Sequence, residues 1–379
     1  MSAAPLIVLA AGGTGGHVFP AEALAEALLA RGYRLALITD SRGAAYGGVL
    51  GGIETHHLPL TRMSGGIGAR VRSVVSIGAS VFRARSLLRR LAPAAVVGFG
   101  GYPSLPTVLA ATQLRIPTAL HEQNAVLGRA NRLLARRVDA IATSFPEVKF
   151  LGAELRDRVT VTGNPVRPAV RAQRLASYVA PAATERFRVL VVGGSQGASI
   201  FSKVVPAAAA ILAPPLRERL EISQQARAED LEAARAAYAA IGMKVDLRPF
   251  FDDVPARLAA AHLVICRSGA STVAELATVG RPAILVPYPH ATDDHQTANA
   301  HALAALGGGW VAPNAEFNAM SLAERLSALL ADPTPLTRAA AAAHQGGRPD
   351  AAERLAELVQ RLAPYQRNGG QGPILEAAE

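Results

Sequence analysis

The chain has 379 residues, half of them hydrophobic, and a formal net charge of +10. Its length suits two domains of similar size, each able to bury a large core. No apolar run reaches the roughly 18 to 20 residues that a membrane-spanning helix needs, so an integral membrane protein is not expected.

The positive charge is concentrated in the first part of the chain. Residues 1–163 hold 18 Lys and Arg against 9 Asp and Glu, a net of +9, whereas 164–379 hold 21 against 20, a net of +1. Between Glu54 and Glu122 there is no acidic residue. Such a block favours an anionic surface, here anionic lipid, as the partner. Nucleic acid is the alternative, but aromatic interleaving and a recognition motif are both missing, so we expect none to bind.

The first predicted element is the apolar run 5–10, which has no basic segment before it. It favours a strand over a signal peptide, because a signal peptide begins with a charged region. The single cysteine, Cys266, leaves no partner for an internal disulfide. Both features favour a cytosolic location.

Short apolar runs then alternate with Ala- and Leu-rich helical stretches, which is typical of βα units and a parallel sheet. The predicted strands of the first half are 5–10, 34–39, 53–58, 94–98, 117–120, 139–143 and 158–162, with helices at 19–31 and 69–91. Those of the second half are 187–192, 219–223, 244–247, 262–266, 282–286 and 309–312, with helices at 199–213, 227–240, 271–279, 294–305 and 318–331. The pattern predicts an α/β protein with two doubly wound domains.

We place the domains at 1–163 and 164–363. The segment 164–185 contains three prolines and no clear strand, which is typical of a linker. A last predicted helix, 349–363, is a candidate to return to the first domain. The Gly-rich end, 364–379, is predicted to be a flexible tail.

Two glycine-rich turns follow apolar strands, Gly12 to His17 and Gly193 to Gly197. At such a turn, backbone N–H groups and the positive end of the next helix can bind a diphosphate. The first turn lacks the G-x-G-x-x-G spacing, and Asp40 lies 28 residues beyond Gly12 rather than about 20, which disfavours a dinucleotide. A turn without a ligand is the other alternative. His17 is a candidate base, hydrogen-bond donor or helix cap.

Two further clusters follow strands of the first half, Gly98 to Ser104 and His121 to Asn124. Because open α/β sheets bind ligands at the carboxyl ends of their strands, these loops and the first glycine turn predict one cleft. Each cluster alone is equally compatible with an ordinary turn.

In the second half, Cys266 to Glu275 joins a strand to a helix through small residues. Arg267 can bind phosphate, and Glu275 can accept two hydrogen bonds from a ribose diol, unless it is only a first-turn acid that interacts with the helix dipole. Asp293, Asp294 and His295 are adjacent and converge poorly on one metal ion, so we expect no metal and favour polar contacts to a sugar.

The predicted helix 69–91 combines an apolar stripe with flanking arginines. The stripe consists of Ile67, Val71, Val74, Val75, Gly78, Val81 and Phe82. Packing on the sheet is the default interpretation. A basic amphipathic surface that binds anionic lipid is the alternative.

Taken together, these motifs resemble the MurG family, the UDP-N-acetylglucosamine:N-acetylmuramyl-(pentapeptide) pyrophosphoryl-undecaprenol N-acetylglucosaminyltransferases, over nearly the whole chain. The resemblance implies a GT-B fold with two Rossmann-like domains and an inverting transfer without metal or cofactor. The implied donor is UDP-GlcNAc, and the implied acceptor is undecaprenyl-diphosphate-linked muramyl pentapeptide (lipid I). The implied product is lipid II, which is used for peptidoglycan. The implied location is the cytoplasmic face of the inner membrane, with the protein bound peripherally.

The resemblance also implies roles for individual residues. Those on the donor-sugar side are Thr14, Gly15, Gly16, Asn124 and Gln296, and those near the diphosphate are Arg167 and Ser195. Phe251 would contact uracil through its backbone, and ribose and phosphates would be held by Ala270, Ser271, Thr272, Val273, Ala274 and Glu275. The acceptor side would be formed by Gly100, Gly101 and Tyr102.

The transfer needs a base, and we predict His17, whose unperturbed pKa of about 6.5 suits this role. Glu122 and His121 are the alternatives. A UDP-N-acetylglucosamine 2-epimerase and an oxidoreductase are rival enzymes, since both have similar folds or glycine loops.

Overall fold

The computed structural model describes residues 4–12, 15–40, 48–59, 67–194 and 197–364. Thr14, Ser195 and nearly all of the predicted tail lie outside these ranges, so their predicted roles stay predictions.

The first domain is built on a parallel seven-stranded sheet. Its strands are β1 (Leu6–Ala10), β2 (Arg34–Asp40), β3 (Glu54–Leu58), β4 (Ala95–Gly98), β5 (Thr118–Glu122), β6 (Ala140–Thr143) and β7 (Val159–Val161). They lie in the order β3-β2-β1-β4-β5-β6-β7. The helices of this part are α1 (Gly15–Ala30), α2 (Ile67–Leu91), α3 (Gly101–Gln113) and α4 (Arg129–Leu134). Buried aliphatic side chains on both sheet faces explain why these strands read as continuous apolar runs.

The second domain repeats this arrangement with six parallel strands. They are β8 (Phe187–Val192), β9 (Leu220–Gln225), β10 (Asp246–Arg248), β11 (Leu263–Cys266), β12 (Ala283–Leu285) and β13 (Gly309–Val311), in the order β10-β9-β8-β11-β12-β13. The helices from residue 168 onward are α5 (Pro168–Ala172), α6 (Ser199–Ile211), α7 (Pro214–Arg217), α8 (Leu231–Ala240), α9 (Val254–Ala260), α10 (Ala270–Val279), α11 (His295–Ala305), α12 (Ala319–Ala331), α13 (Thr334–Gly346) and α14 (Ala351–Leu362). The predicted α/β class with two doubly wound sheets is confirmed.

The segment that we predicted as a glycine loop after β4 is largely helical. Helix α3 begins at Gly101, directly after Gly100 at φ 79°. Pro103 fits there because the N–H groups of a first helical turn have no partner within the helix. Of the predicted acceptor-side residues, Gly101 and Tyr102 therefore lie on a helix, and only Gly100 precedes it.

The predicted linker packs on the second domain, and the last helix crosses back to the first. Val166 and Val170, in the predicted linker, are buried in the core of the second domain. Helix α14 runs back to the first domain, where Leu355, Ala356 and Val359 are fully buried in the core. The first domain thus contains chain from both sides of the predicted boundary.

Helix α2 packs its apolar side on the first sheet, with Ala84 and Leu88 fully buried. Val81 packs against the same core, whereas the neighbouring Phe82 is 75% exposed between basic side chains. The stripe is therefore divided between core and surface, and its members before residue 76 are not described. Within the described ranges, no helix is long and apolar enough to cross a membrane.

Candidate active site

The carboxyl ends of the two parallel sheets face each other. In both sheets the strand order reverses direction beside the first strand, which is the position where open α/β sheets bind ligands. Asn299 of α11 spans the gap, because its Oδ1 accepts from the backbone N–H of Ala125 at 2.8 Å and its Nδ2 donates to Asn124 Oδ1 at 3.0 Å. The loops after β5 and β12 thus form opposite walls of one cleft.

His17 lies in the first turn of α1, after Gly15 and Gly16, and is partly buried. Its Nδ1 is 3.2 Å from Gln123 Oε1. Burial lowers the pKa of His17 below its usual 6.5, although the nearby charge of Glu122 opposes this shift. His295 of the second domain also lowers this pKa, so the ring lies close to the start of α11. His17 is consequently a neutral imidazole at neutral pH.

His121 and Glu122 lie in the interior, with relative exposures of 0% and 1%. The two Glu122 oxygens accept four hydrogen bonds. The donors are Asn124 N at 3.0 Å, Asn124 Nδ2 at 3.2 Å, Gly128 N at 2.8 Å and Asn131 Nδ2 at 2.8 Å. This carboxylate organises the loop between β5 and α4, which favours His17 over Glu122 as the base.

The wall from the second domain is the start of α10. Residues Ala270 to Glu275 form its first turns after Gly269. Glu275 Oε1 accepts from Arg167 Nη2 at 3.0 Å, and burial raises the pKa of Glu275. Ser271 Oγ is buried, and among the described residues it has no hydrogen-bond partner. An unpaired hydroxyl at a helix N-terminus suits a polar or anionic ligand.

Gln296 is the second residue of α11, one turn before Asn299, and its Oε1 accepts from the N–H of Tyr288 at 2.9 Å. Phe251 is 2% exposed, with its ring packed in the core and under Arg257 at 4.1 Å. Its side chain is therefore structural, and only its backbone remains for a ligand.

Two family models match the chain. The glycosyltransferase family 28 N-terminal domain matches residues 7–143, and the C-terminal domain of the same family matches residues 188–355. The chain is 59% identical over 359 residues to the UDP-N-acetylglucosamine--N-acetylmuramyl-(pentapeptide) pyrophosphoryl-undecaprenol N-acetylglucosamine transferase of Rhodospirillum centenum, covering 95% of this chain and 94% of the relative. The enzyme of the same name from Paramagnetospirillum magneticum is 58% identical, with 96% and 98% covered.

Among solved structures, MurG of Acinetobacter baumannii superposes with a TM-score of 0.77 at 31% identity, covering 94% of this chain and 99% of that one. This chain belongs to the MurG family. It is a glycosyltransferase with the GT-B architecture. A putative UDP-N-acetylglucosamine 2-epimerase from Listeria monocytogenes has a TM-score of 0.66 at 17% identity, with 94% of this chain and 96% of that chain covered, and shares the fold alone.

For this MurG-family chain, the structure brings most of the predicted site residues to one cleft. His17, Asn124, Gln296 and the start of α10 line it, while Arg167 reaches it from the segment between the domains. Gly101, at φ 71°, has no Cβ, and a Cβ there would lie 3.2 Å from His17 Nε2. The first turn of α3 is therefore adjacent to the candidate base.

Sequence reasoning missed a charged contact at the edge of the cleft. Asp293 Oδ1 accepts from Arg129 Nη2 at 2.8 Å, and its Oδ2 accepts from Arg132 Nη2 at 2.6 Å. The hydrogen bond from Arg129 holds the pKa of Asp293 below its usual range. The sequence predicts polar contacts to a sugar for Asp293 and disfavours it as a metal ligand, but it does not indicate this ion pair. Within the described part of the chain, no three His, Cys, Asp or Glu side chains are placed to hold a metal ion.

Gln123 was also missed as an individual residue, although its neighbours in the same motif were singled out. Nothing in the sequence distinguishes it, since an amide after a strand is ordinary. Only the structure shows that it is 1% exposed and in contact with both His17 and His121.

Proposed function

We propose that this MurG-family enzyme moves N-acetylglucosamine from UDP-GlcNAc to the 4-hydroxyl of the muramyl sugar of lipid I, forming lipid II. The observation that carries the proposal is the position of His17. Its ring lies in the interdomain cleft, opposite the α10 and α11 starts that resemble the donor site of the family.

The donor is proposed to bind the second domain. Uracil pairs with the backbone at Phe251, and Glu275 accepts from the ribose diol. The α10 start with Ser271, and Arg167, stabilise the diphosphate as negative charge grows on it. Ser195 of the second glycine turn completes this set. Gln296 and Asn124, on opposite walls, bind the sugar hydroxyls beside Thr14, Gly15 and Gly16.

The chemistry is a single displacement with inversion. The acceptor oxygen attacks C1 of the donor sugar while the bond from C1 to the UDP oxygen breaks. Nε2 of His17 accepts the proton of the attacking hydroxyl, and Gly100, Gly101 and Tyr102 face the acceptor. A neutral histidine suits this step because a base must hold a free lone pair.

The test is an assay of UDP release with and without a polyprenyl-diphosphate-linked muramyl acceptor. We expect release to depend strictly on the acceptor, which separates the transferase from the 2-epimerase and the oxidoreductase. We expect His17→Ala to lower kcat by roughly 100-fold or more, with a much smaller change in donor affinity. Near-normal turnover of this variant would remove His17 from the mechanism.

We further propose that the enzyme is peripheral and binds an anionic membrane at the cytoplasmic face of the inner membrane. Support comes from Phe82, 75% exposed among arginines of α2, within a stretch that has no acidic residue. Co-sedimentation with anionic vesicles should be lost in Phe82→Asp and at high salt. Failure of the full chain to bind anionic vesicles at low salt would refute this proposal.

We expect no nucleic-acid binding, and a filter-binding assay with DNA and RNA tests this expectation.

A further inference from the structure

His17 has two ring nitrogens in different surroundings. Nδ1 lies 3.2 Å from Gln123 Oε1, whereas Nε2 lies on the side of Gly101 at the start of α3. A hydrogen bond with the backbone of Phe99 also raises the pKa of the ring, against the larger effect of burial. A neutral imidazole carries one proton and one lone pair, so the ring can act as a base toward the cleft only when the proton is on Nδ1. The position of this proton therefore decides whether His17 functions.

The orientation of the Gln123 amide follows from its other contacts. The Nε2 of Gln123 lies 2.9 Å from the carbonyl oxygen of Phe99. This oxygen can only accept, so the group facing it must be the NH2. A flipped amide would bring two oxygens together at that distance. The amide oxygen of Gln123 must then face His17.

His121 fixes the second proton of the same NH2 group. The Nε2 of His121 lies 3.1 Å from the carbonyl oxygen of Gly163 and must donate to it. Burial lowers the pKa of His121 to about 4, so this ring is neutral and its Nδ1 carries a lone pair. That lone pair accepts from Gln123 Nε2 at 3.0 Å. The carbonyl oxygen of His121 also accepts from Gln123 Nε2, at 3.2 Å. The carbonyls of Phe99 and His121 thereby fix the orientation of the Gln123 amide, and the carbonyl of Gly163 fixes the tautomer of His121.

We propose that Gln123 is a positioning residue that holds His17 as the Nδ1–H tautomer and leaves its Nε2 lone pair open to the acceptor hydroxyl. This inference rests on the proposed role of His17 as the base. During the transfer, the hydroxyl proton moves to Nε2, the new C1–O bond forms and UDP leaves with the old bonding pair. The Nδ1–H bond to Gln123 is kept throughout, so the chain needs no rearrangement.

A neutral amide is suited to this position. Glu at 123 would accept from Nδ1–H as well, but as a carboxylate it would lose the donation to Phe99 and His121 and bring a charge into a site that is 1% exposed. Its charge would favour the imidazolium form and raise the pKa of His17, because an opposite charge nearby stabilises the charged form.

The experiment compares Gln123→Met, Gln123→Glu and the control Gln113→Met in the full chain. Gln113 is exposed at the end of α3, so the control makes the same replacement outside the chain of hydrogen bonds. The tautomer of His17 is read from 15N NMR of histidine-labelled protein, assigned with His17→Ala. Thermal unfolding, donor KM and the pH profile of kcat are measured in parallel.

We expect the wild type and Gln113→Met to show His17 protonated on Nδ1 alone. Gln123→Met should show a mixture with the Nε2–H tautomer, and kcat should fall about 10- to 100-fold with little change in donor KM. Gln123→Glu should keep the Nδ1–H tautomer, recover part of kcat at alkaline pH and shift the acid limb of the profile upward.

An Nε2–H tautomer in the wild type would overturn the inference, as would an unchanged tautomer in Gln123→Met. Equal losses in both Gln123 variants, without a shifted pH profile, would show that the amide only supports packing. If the tautomer is as proposed but His17→Ala retains near-normal turnover, then His17 is not the base, although Gln123 still positions its ring. The two failures are therefore distinguishable.

Discussion

The centre and the rim of the domain contact are held by different kinds of bonds. At the centre Asn299, which is 0% exposed, joins the walls through neutral hydrogen bonds. At the rim Asp293 pairs with Arg129, whose side chain is 72% exposed, and with Arg132, which is 29% exposed. Buried charges lose their hydration, whereas exposed ones keep it. We therefore expect the centre to depend on shape and hydrogen bonding, and the rim to depend on the salt concentration.

Among changes to the contact between the domains, the largest effect is expected when the centre is broken by Asn299→Leu. The shape is nearly kept, but the buried N–H of Ala125 loses its acceptor, and a stranded polar group costs roughly 1–3 kcal/mol. We expect a lower free energy of unfolding and a fall of about tenfold or more in kcat/KM for the donor. Urea titration and kinetics measure both.

The matched control is His301→Leu, because His301 is exposed on the same helix. It should leave both quantities near those of the wild type. If the two variants had the same free energy of unfolding and the same kcat/KM, the Asn299 hydrogen bonds would not be what holds the centre.

Glu275 gives an intermediate case, a partly buried ion pair with Arg167. Side-chain exposures are 13% for Glu275 and 30% for Arg167. We expect Glu275→Gln to raise KM for UDP-GlcNAc about tenfold, because the amide loses both the ion pair and one acceptor. The exposed Glu232→Gln is the control for charge. An unchanged KM in Glu275→Gln would place the ribose elsewhere.

Acidification should affect His17, the candidate base, before it affects the ion pair at the rim. The lowered pKa of His17 predicts that kcat is full above pH 6.5 and falls as pH drops through this lower value, since the base must be neutral. From pH 7.5 to 6 the loss should be at most about fourfold. The lowered pKa of Asp293 keeps the rim pair intact until pH falls well below 3.8. A pH–rate profile that breaks above 6.5 would contradict this assignment.

The smallest effect is expected from Asp293→Asn at the rim. Exposed ion pairs contribute little and are screened by salt, so kcat/KM should fall by about twofold at low ionic strength and recover at high salt. Arg136→Gln is the control, since Arg136 forms an exposed pair with Glu154 away from α11. A loss that persists at high salt would mean that Asp293 acts through the shape of its loop instead.

The fold was predictable because buried parallel strands are short apolar runs, as in β1 and β11. The helical start of α3 could not be predicted, because Gly100, Gly101 and Pro103 are typical both of a loop and of a helix N-terminus. Periodicity cannot choose between these two without the packing partner.

The candidate site was predictable to the level of loops, because ligands bind at the carboxyl ends of parallel strands. The sequence could not predict which side chain of the segment His121 to Asn124 faces the cleft. The alternation of side chains along a strand does not continue into a turn. The four hydrogen bonds to the Glu122 carboxylate come from three different residues, Asn124, Gly128 and Asn131, that follow it in the chain. The partner of Asn299 lies 174 positions away, a contact that no local pattern contains.

Helix α14 has a consequence for the order in which the protein is made. Because Leu355, Ala356 and Val359 fill the core of the first domain, that core stays incomplete while the ribosome synthesises the whole second domain. A nascent protein halted before residue 351 would expose an apolar groove beside α1. The core of the first domain can therefore close only after the residues of α14 have been synthesised.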